Sequence, residues 1–182
     1  MEALARVAVM VRAGAAPLWW GGVVAAGVGG LVPGVSGLAI GVYGGAAAAI
    51  VTAVAVALGR RRRYTQLADD AERAPRKALL QDRAVTARAW RKDHRWWLVG
   101  AFLAAIAAAF AVPAAPGMIL AGAGTGLWAK AAWLGRLERA RDGLLWTRTD
   151  AASPTAAPYR TTGLAAGDAR PGGGKWATGQ RP

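Results

Sequence analysis

The chain has no cysteine and a single histidine, His94. The first absence excludes disulfides, thiolate metal sites and cysteine nucleophiles. With one imidazole, most nucleophile–base pairs are excluded as well. Charge is missing over long stretches. No Asp, Glu, Lys or Arg occurs from residue 13 to 59 or from 96 to 129, runs of 47 and 34 residues. A soluble helix needs a polar face, and neither run supplies one. Uncharged apolar runs of about 18 residues or more read as membrane spans.

What is present is small, apolar and basic. The sequence holds 25 glycines and 9 tryptophans, with a net charge of +13. Residues 1–12 carry +1, residues 60–95 carry +7 and residues 130–182 carry +5, so every formal charge lies outside the two runs. The first run continues too far for the apolar core of a signal peptide, so an uncleaved first span is expected.

A span needs about 20 helical residues. The first run therefore suits two helices, and Pro33-Gly34 within "GGLVPGVSG" supplies the turn. The second is broken by Pro113 and Pro116 in "AVPAAPG". This predicts an all-α, multi-pass membrane protein of two hairpins, with spans near 16–32, 36–58, 96–112 and 116–135. The last reaches Gly135 if Lys130 snorkels to the surface. A re-entrant second hairpin is the alternative. The full division is a cytoplasmic N-terminus (1–15), hairpin 1 (16–58), a basic helical segment (59–95), hairpin 2 (96–135), a helical extension (136–148) and a disordered basic tail (149–182).

The turns carry no Lys or Arg, whereas the segments between and after the hairpins carry many. The positive-inside rule then places both termini and residues 60–95 in the cytoplasm of a bacterial inner membrane. Trp19, Trp20, Trp96, Trp97, Trp128 and Trp133 fall toward that same side, as interface anchors. Pro75 divides the basic segment into a short helix and a longer one over about 76–95, with Leu80, Ala84, Ala87 and Trp90 or Arg91 at helical spacing.

Gly37, Gly41, Gly45, Ala49, Ala53 and Ala57 recur every fourth residue in span 2, with partial echoes at Gly22, Ala26 and Gly30 and at Gly122 and Gly126. Small residues let helix backbones approach closely. The stripe implies either assembly of a homo-oligomer or packing of span 2 on span 1. Ser36, Tyr43, Thr52 and Thr125 are the polar groups at membrane depth, and Lys130 the one charge, near a span end. Without an intramembrane carboxylate, histidine or arginine, coupled transport is disfavoured.

Asp69, Asp70 and Glu72, beside Arg73, Arg76 and Lys77, read as a salt-bridged surface rather than metal ligands. "GAGTG" (Gly122–Gly126) lacks the Lys-Ser/Thr of a phosphate loop. No cofactor, metal site, catalytic group or small-molecule substrate is indicated. The basic residues Arg60, Arg61, Arg62, Arg63, Arg83, Arg88, Arg91, Lys92 and Arg95 suit phosphates, on anionic lipid or on DNA. Arg160, Arg170, Lys175 and Arg181 extend that character into the tail.

The hairpin pair (Leu18–Leu58 and Trp96–Gly135), the segment from "GRRRRY" to "WRKDHRWW" and the low-complexity tail resemble the small hydrophobic spread proteins of conjugative plasmids and integrative elements from GC-rich mycelial bacteria. The resemblance implies a self-associating accessory of DNA transfer between cells, working with a DNA translocase and contacting DNA nonspecifically. A holin-type pore former and a plain anchor for a cytoplasmic partner are the other readings.

Overall fold

The computed structural model describes residues 3–32, 34–73, 79–80, 82–148 and 159–162. Strand β1 (Ala3–Arg6) leads into α1 (Val7–Ala13) and α2 (Ala15–Leu31), followed by α3 (Leu38–Leu58), α4 (Arg61–Asp69) and the short β2 (Glu72–Arg73). After β3 (Leu79–Leu80) come α5 (Arg83–Asp93), α6 (Arg95–Ala108) and α7 (Ala115–Ala140), then β4 (Gly143–Arg148) and β5 (Tyr159–Thr162).

Helix α7 is the centre of the bundle. Both α2 and α3 pack along it, and α6 packs chiefly on α2. The reason lies in the glycines of α7. Successive residues turn by about 100°, so positions two apart point to nearly opposite sides. A Cβ on Gly117 or Gly124 would strike the backbone of α2, and one on Gly122 or Gly126 would strike that of α3. The alternating "GAGTG" thus gives α7 two bare faces, each holding a neighbour at backbone contact.

The stripe of α3 meets this surface. A Cβ on Gly41 would meet the Pro113 carbonyl and one on Gly45 would meet Ala115, while Ala49 and Ala53 lie against Gly122 and Gly126. From Gly41 to Ala53 the span 2 stripe is therefore occupied, but by α7, while Gly37 has nothing within 4 Å of an added Cβ. The expected partner, span 1, takes the other face of α7 instead. Sequence spacing identifies a close-packing face without saying which helix fills it.

The two hairpin turns meet at one end. Val35 N–H donates to the Phe110 carbonyl at 3.3 Å, and Ser36 donates to the Ala111 carbonyl through N–H at 3.3 Å and Oγ at 3.1 Å. Gly37 adopts a φ of 79°, which glycine accepts without a Cβ penalty. By 1.5 Å per residue, α2, α3 and α7 are about 26, 32 and 39 Å long and α6 about 21 Å. Backbone bonds from Ala109, Ala111 and Val112 carry α6 onward to the turn.

The surface of the bundle is apolar. Leu31 is 86% exposed, Tyr43 79% and Val35 93%. All the large apolar side chains exposed among the described residues, except Val85, lie between Trp20 and Leu58 or between Trp96 and Ile119. Two helical stretches, Val7–Leu31 and Leu38–Asp69, are long and apolar enough to cross a membrane. A core helix of a soluble protein passes the same test when it is covered. Here only 11% of the most apolar part of Leu38–Asp69 is buried, and an all-round apolar helix left uncovered by protein suits lipid.

Opposite the turns lies a small sheet, which the all-α expectation omitted. Its order is β2-β5-β4-β1-β3. β4 pairs antiparallel with β1, Arg6 opposite Trp146, and with β5, Trp146 opposite Tyr159. β3 joins parallel to β1, and β2 parallel to β5. Leu4, Leu144 and Trp146 form its core with Tyr159 against them, and Trp146 Nε1–H donates to Thr161 Oγ1 at 2.9 Å.

Several expected boundaries are corrected here. The helical extension over 136–148 ends at Ala140; Asp142 turns with φ 50° and residues 143–148 are strand. Leu144, Leu145, Trp146 and Thr147 are all buried, so β4 is covered on both faces and shows no alternation to read. Residues 159–162 of the expected disordered tail are β5; the rest of 149–182 lies outside the described residues. The second helix of the basic segment starts at Arg83 rather than near 76, Leu80 lies in β3, and Pro75 is outside the described residues.

Candidate functional site: the cationic end of the bundle

Basic residues from four parts of the chain gather at the end opposite the turns. Leu58 ends α3, and Arg60 takes a left-handed conformation (φ 61°) that redirects the chain into α4. α4 then folds against the end of α7. The Arg61 guanidinium lies 5.1 Å from the centre of the Trp133 ring. Arg141 pairs with Asp69 at 2.8 Å and donates to the Thr65 carbonyl at 3.1 Å. Asp69 is thus half of an ion pair, and no group of three or more potential metal-binding side chains occurs among the described residues.

Lys130 does not snorkel outward. It is 8% exposed, with Nζ 6.0 Å from the centre of the Tyr64 ring. The fold of α4 over α7 covers it, a consequence of the Arg60 turn that hydropathy alone does not contain.

A second anchor joins the sheet to the bundle. Glu138, 1% exposed, receives Arg6 Nη2 at 2.6 Å and the Leu145 N–H at 3.2 Å. One buried carboxylate thereby links β1, α7 and β4.

The sequence-selected arginines divide in two groups. Arg60–Arg63 stand at the α3–α4 junction, where they line a shallow cleft with Leu58 and Gln66. Arg83, Arg88, Arg91 and Lys92 lie on α5, and Arg95 opens α6 with its guanidinium 5.2 Å from the Trp96 ring. All of these except Arg61 are exposed. Trp20, Trp96 and Trp97 are exposed, whereas Trp19 packs 5.8 Å from Trp128, ring centre to ring centre. Trp90 stacks on His94 and lies against Gly14, at the joint of α1 and α2.

Two arginines that sequence reasoning left out belong here. Arg12 of α1 and Arg139 of α7 line a cleft of about 460 Å³ with Arg6, Arg83 and Trp128. Their sequence signal is slight, because each stands alone or among mixed charges. The fold brings them to Arg83 by packing α1 on both α5 and α7.

Comparison with protein-family models, with curated proteins and with solved structures finds no match for this chain.

Proposed function

We propose that the protein is a non-enzymatic, four-span protein of the bacterial inner membrane whose cationic cytoplasmic end engages phosphate-bearing partners, as an accessory of mobile-element DNA transfer. One observation carries this reading: an exposed apolar bundle has both charge-free turns at one end and its arginine clusters at the other. α6 and α7 would then cross beside the two longest apolar stretches, with both termini in the cytoplasm.

Phosphate contact by clustered arginines is independent of sequence and falls steeply with salt. The exposed Arg60 and Arg62 and the arginines of α5 can make it along a DNA backbone or a lipid surface. The part in DNA transfer rests on the resemblance of the hairpin pair, the arginine-rich segment and the tail to spread-type proteins. Self-association and a DNA translocase as partner belong to the same proposal. The stripe Gly41–Ala53 is covered by α7, so copies would meet through another face.

The test is retardation of unrelated DNA duplexes by the purified full chain. Affinity should fall at least about tenfold between 50 and 200 mM salt. No retardation at low salt removes DNA from the proposal.

A further inference from the structure

Arg12, Arg83 and Arg139 are far apart in sequence, yet they face one cleft between α1, α5 and α7. Arg12 and Arg83 also border an adjoining cleft of about 220 Å³, which Arg91 completes. Among the described residues, none of these four has a carboxylate within 4 Å; the ion pairs found are Arg6–Glu138 and Arg141–Asp69. Like charges gathered around a recess repel one another unless an anion lies between them. Across the cleft the lining changes to Val9, Ala131, Ala132 and Trp128.

We propose that this cleft binds an anionic phospholipid, with the phosphate held by Arg12, Arg83 and Arg139 and the glycerol end against Trp128 and the alanines of α7. The proposal rests on the reading that the bundle lies in a bilayer. Three features favour a lipid over a nucleic acid. The recess is half apolar, as an amphiphile requires. It lies beside Trp19 and Trp128, where indoles mark the membrane–water interface. It is also recessed between helices, with Arg12, Arg83 and Arg139 exposed at its rim, whereas the backbone of a stiff duplex is met on a more open surface such as the quartet's. Guanidinium groups suit the task, since their fixed donors match phosphate oxygens in pairs. Basic pockets between spanning helices on the cytoplasmic side are a known form of headgroup site.

The test uses the full chain, extracted from membranes in mild detergent and offered phosphatidylglycerol or phosphatidylcholine, with retained lipid read by native mass spectrometry. The wild type should retain phosphatidylglycerol at least about tenfold better. R12Q/R83Q should lose about fivefold per arginine removed, while Arg136→Gln, at an exposed arginine of α7 outside the cleft lining, should keep the preference. If R12Q/R83Q does not fold, the single variant Arg139→Gln serves, with a loss of about fivefold.

Equal retention of the two lipids by the wild type overturns the proposal. So does a loss in Arg136→Gln as large as that per arginine in R12Q/R83Q, which would mean diffuse attraction. Displacement of the lipid by equimolar inorganic phosphate or by a short DNA duplex overturns it as well, assigning the cleft to those anions. Fractionation is read separately: a chain that pellets with membranes but does not discriminate lipids loses only the cleft, whereas a soluble chain loses the bilayer reading too.

Discussion

Arg6 Nη2 and Glu138 Oε2 lie 2.6 Å apart although 132 residues separate them. The same carboxylate also takes the Leu145 N–H. This contact holds the first strand, the central helix and the strand after it in one arrangement. Removing one member of a buried ion pair leaves the other uncompensated, at a cost of about 3–5 kcal/mol. Arg6 is partly open to solvent, so the lower part of that range applies.

Glu138→Ala should therefore destabilise the protein by about 3 kcal/mol in detergent, read from chemical unfolding. Leu145 N–H and Arg6 would both lose their acceptor. The double variant R6M/E138L should recover the part due to Arg6, while the Leu145 N–H, still without its acceptor, keeps the rest of the loss. If Glu138→Ala unfolds like the wild type, the pair does not hold the sheet to the bundle.

The glycines of α7 give a sharper contrast. Gly122→Val and Gly124→Val each place a side chain where the backbone of α3 or α2 already lies. Each should cost at least about 2 kcal/mol, the scale of overpacking in a close-packed interior. Gly135→Val, on the same helix with nothing within 4 Å of the added carbon, should be nearly neutral. Thermal unfolding of the three variants decides it: three equal shifts would mean that α7 does not lie between α2 and α3.

The breaks between α2 and α3 and between α6 and α7 are legible in the sequence, because charge-free runs too long for one helix and the prolines within them are local signals. Which helices touch is not. The fourfold stripe of α3 says that something approaches closely, but Gly41 and Ala49 carry no side chain to specify a partner. The paired faces of α7 were open to view in the i, i+2 spacing of Gly122, Gly124 and Gly126, which a search for fourfold repeats passes over. The sheet was hidden for a different reason. β4 is buried on both faces and its partner β1 lies more than a hundred residues earlier, so neither periodicity nor local propensity marks it. The arginine-lined cleft combines both difficulties, since Arg12 and Arg139 become neighbours of Arg83 through helix packing alone.

The absence of cysteine makes orientation directly measurable, because any cysteine introduced is the sole thiol. Val35, 93% exposed at the joined turns, and Arg88, exposed on α5 at the opposite end, mark the two sides. Val35→Cys and Arg88→Cys are treated in intact cells with a membrane-impermeant maleimide. The account predicts labelling of Val35→Cys in intact cells, and of Arg88→Cys only after the membrane is permeabilised. Labelling of Arg88→Cys in intact cells, or of Val35→Cys only after permeabilisation, would contradict it.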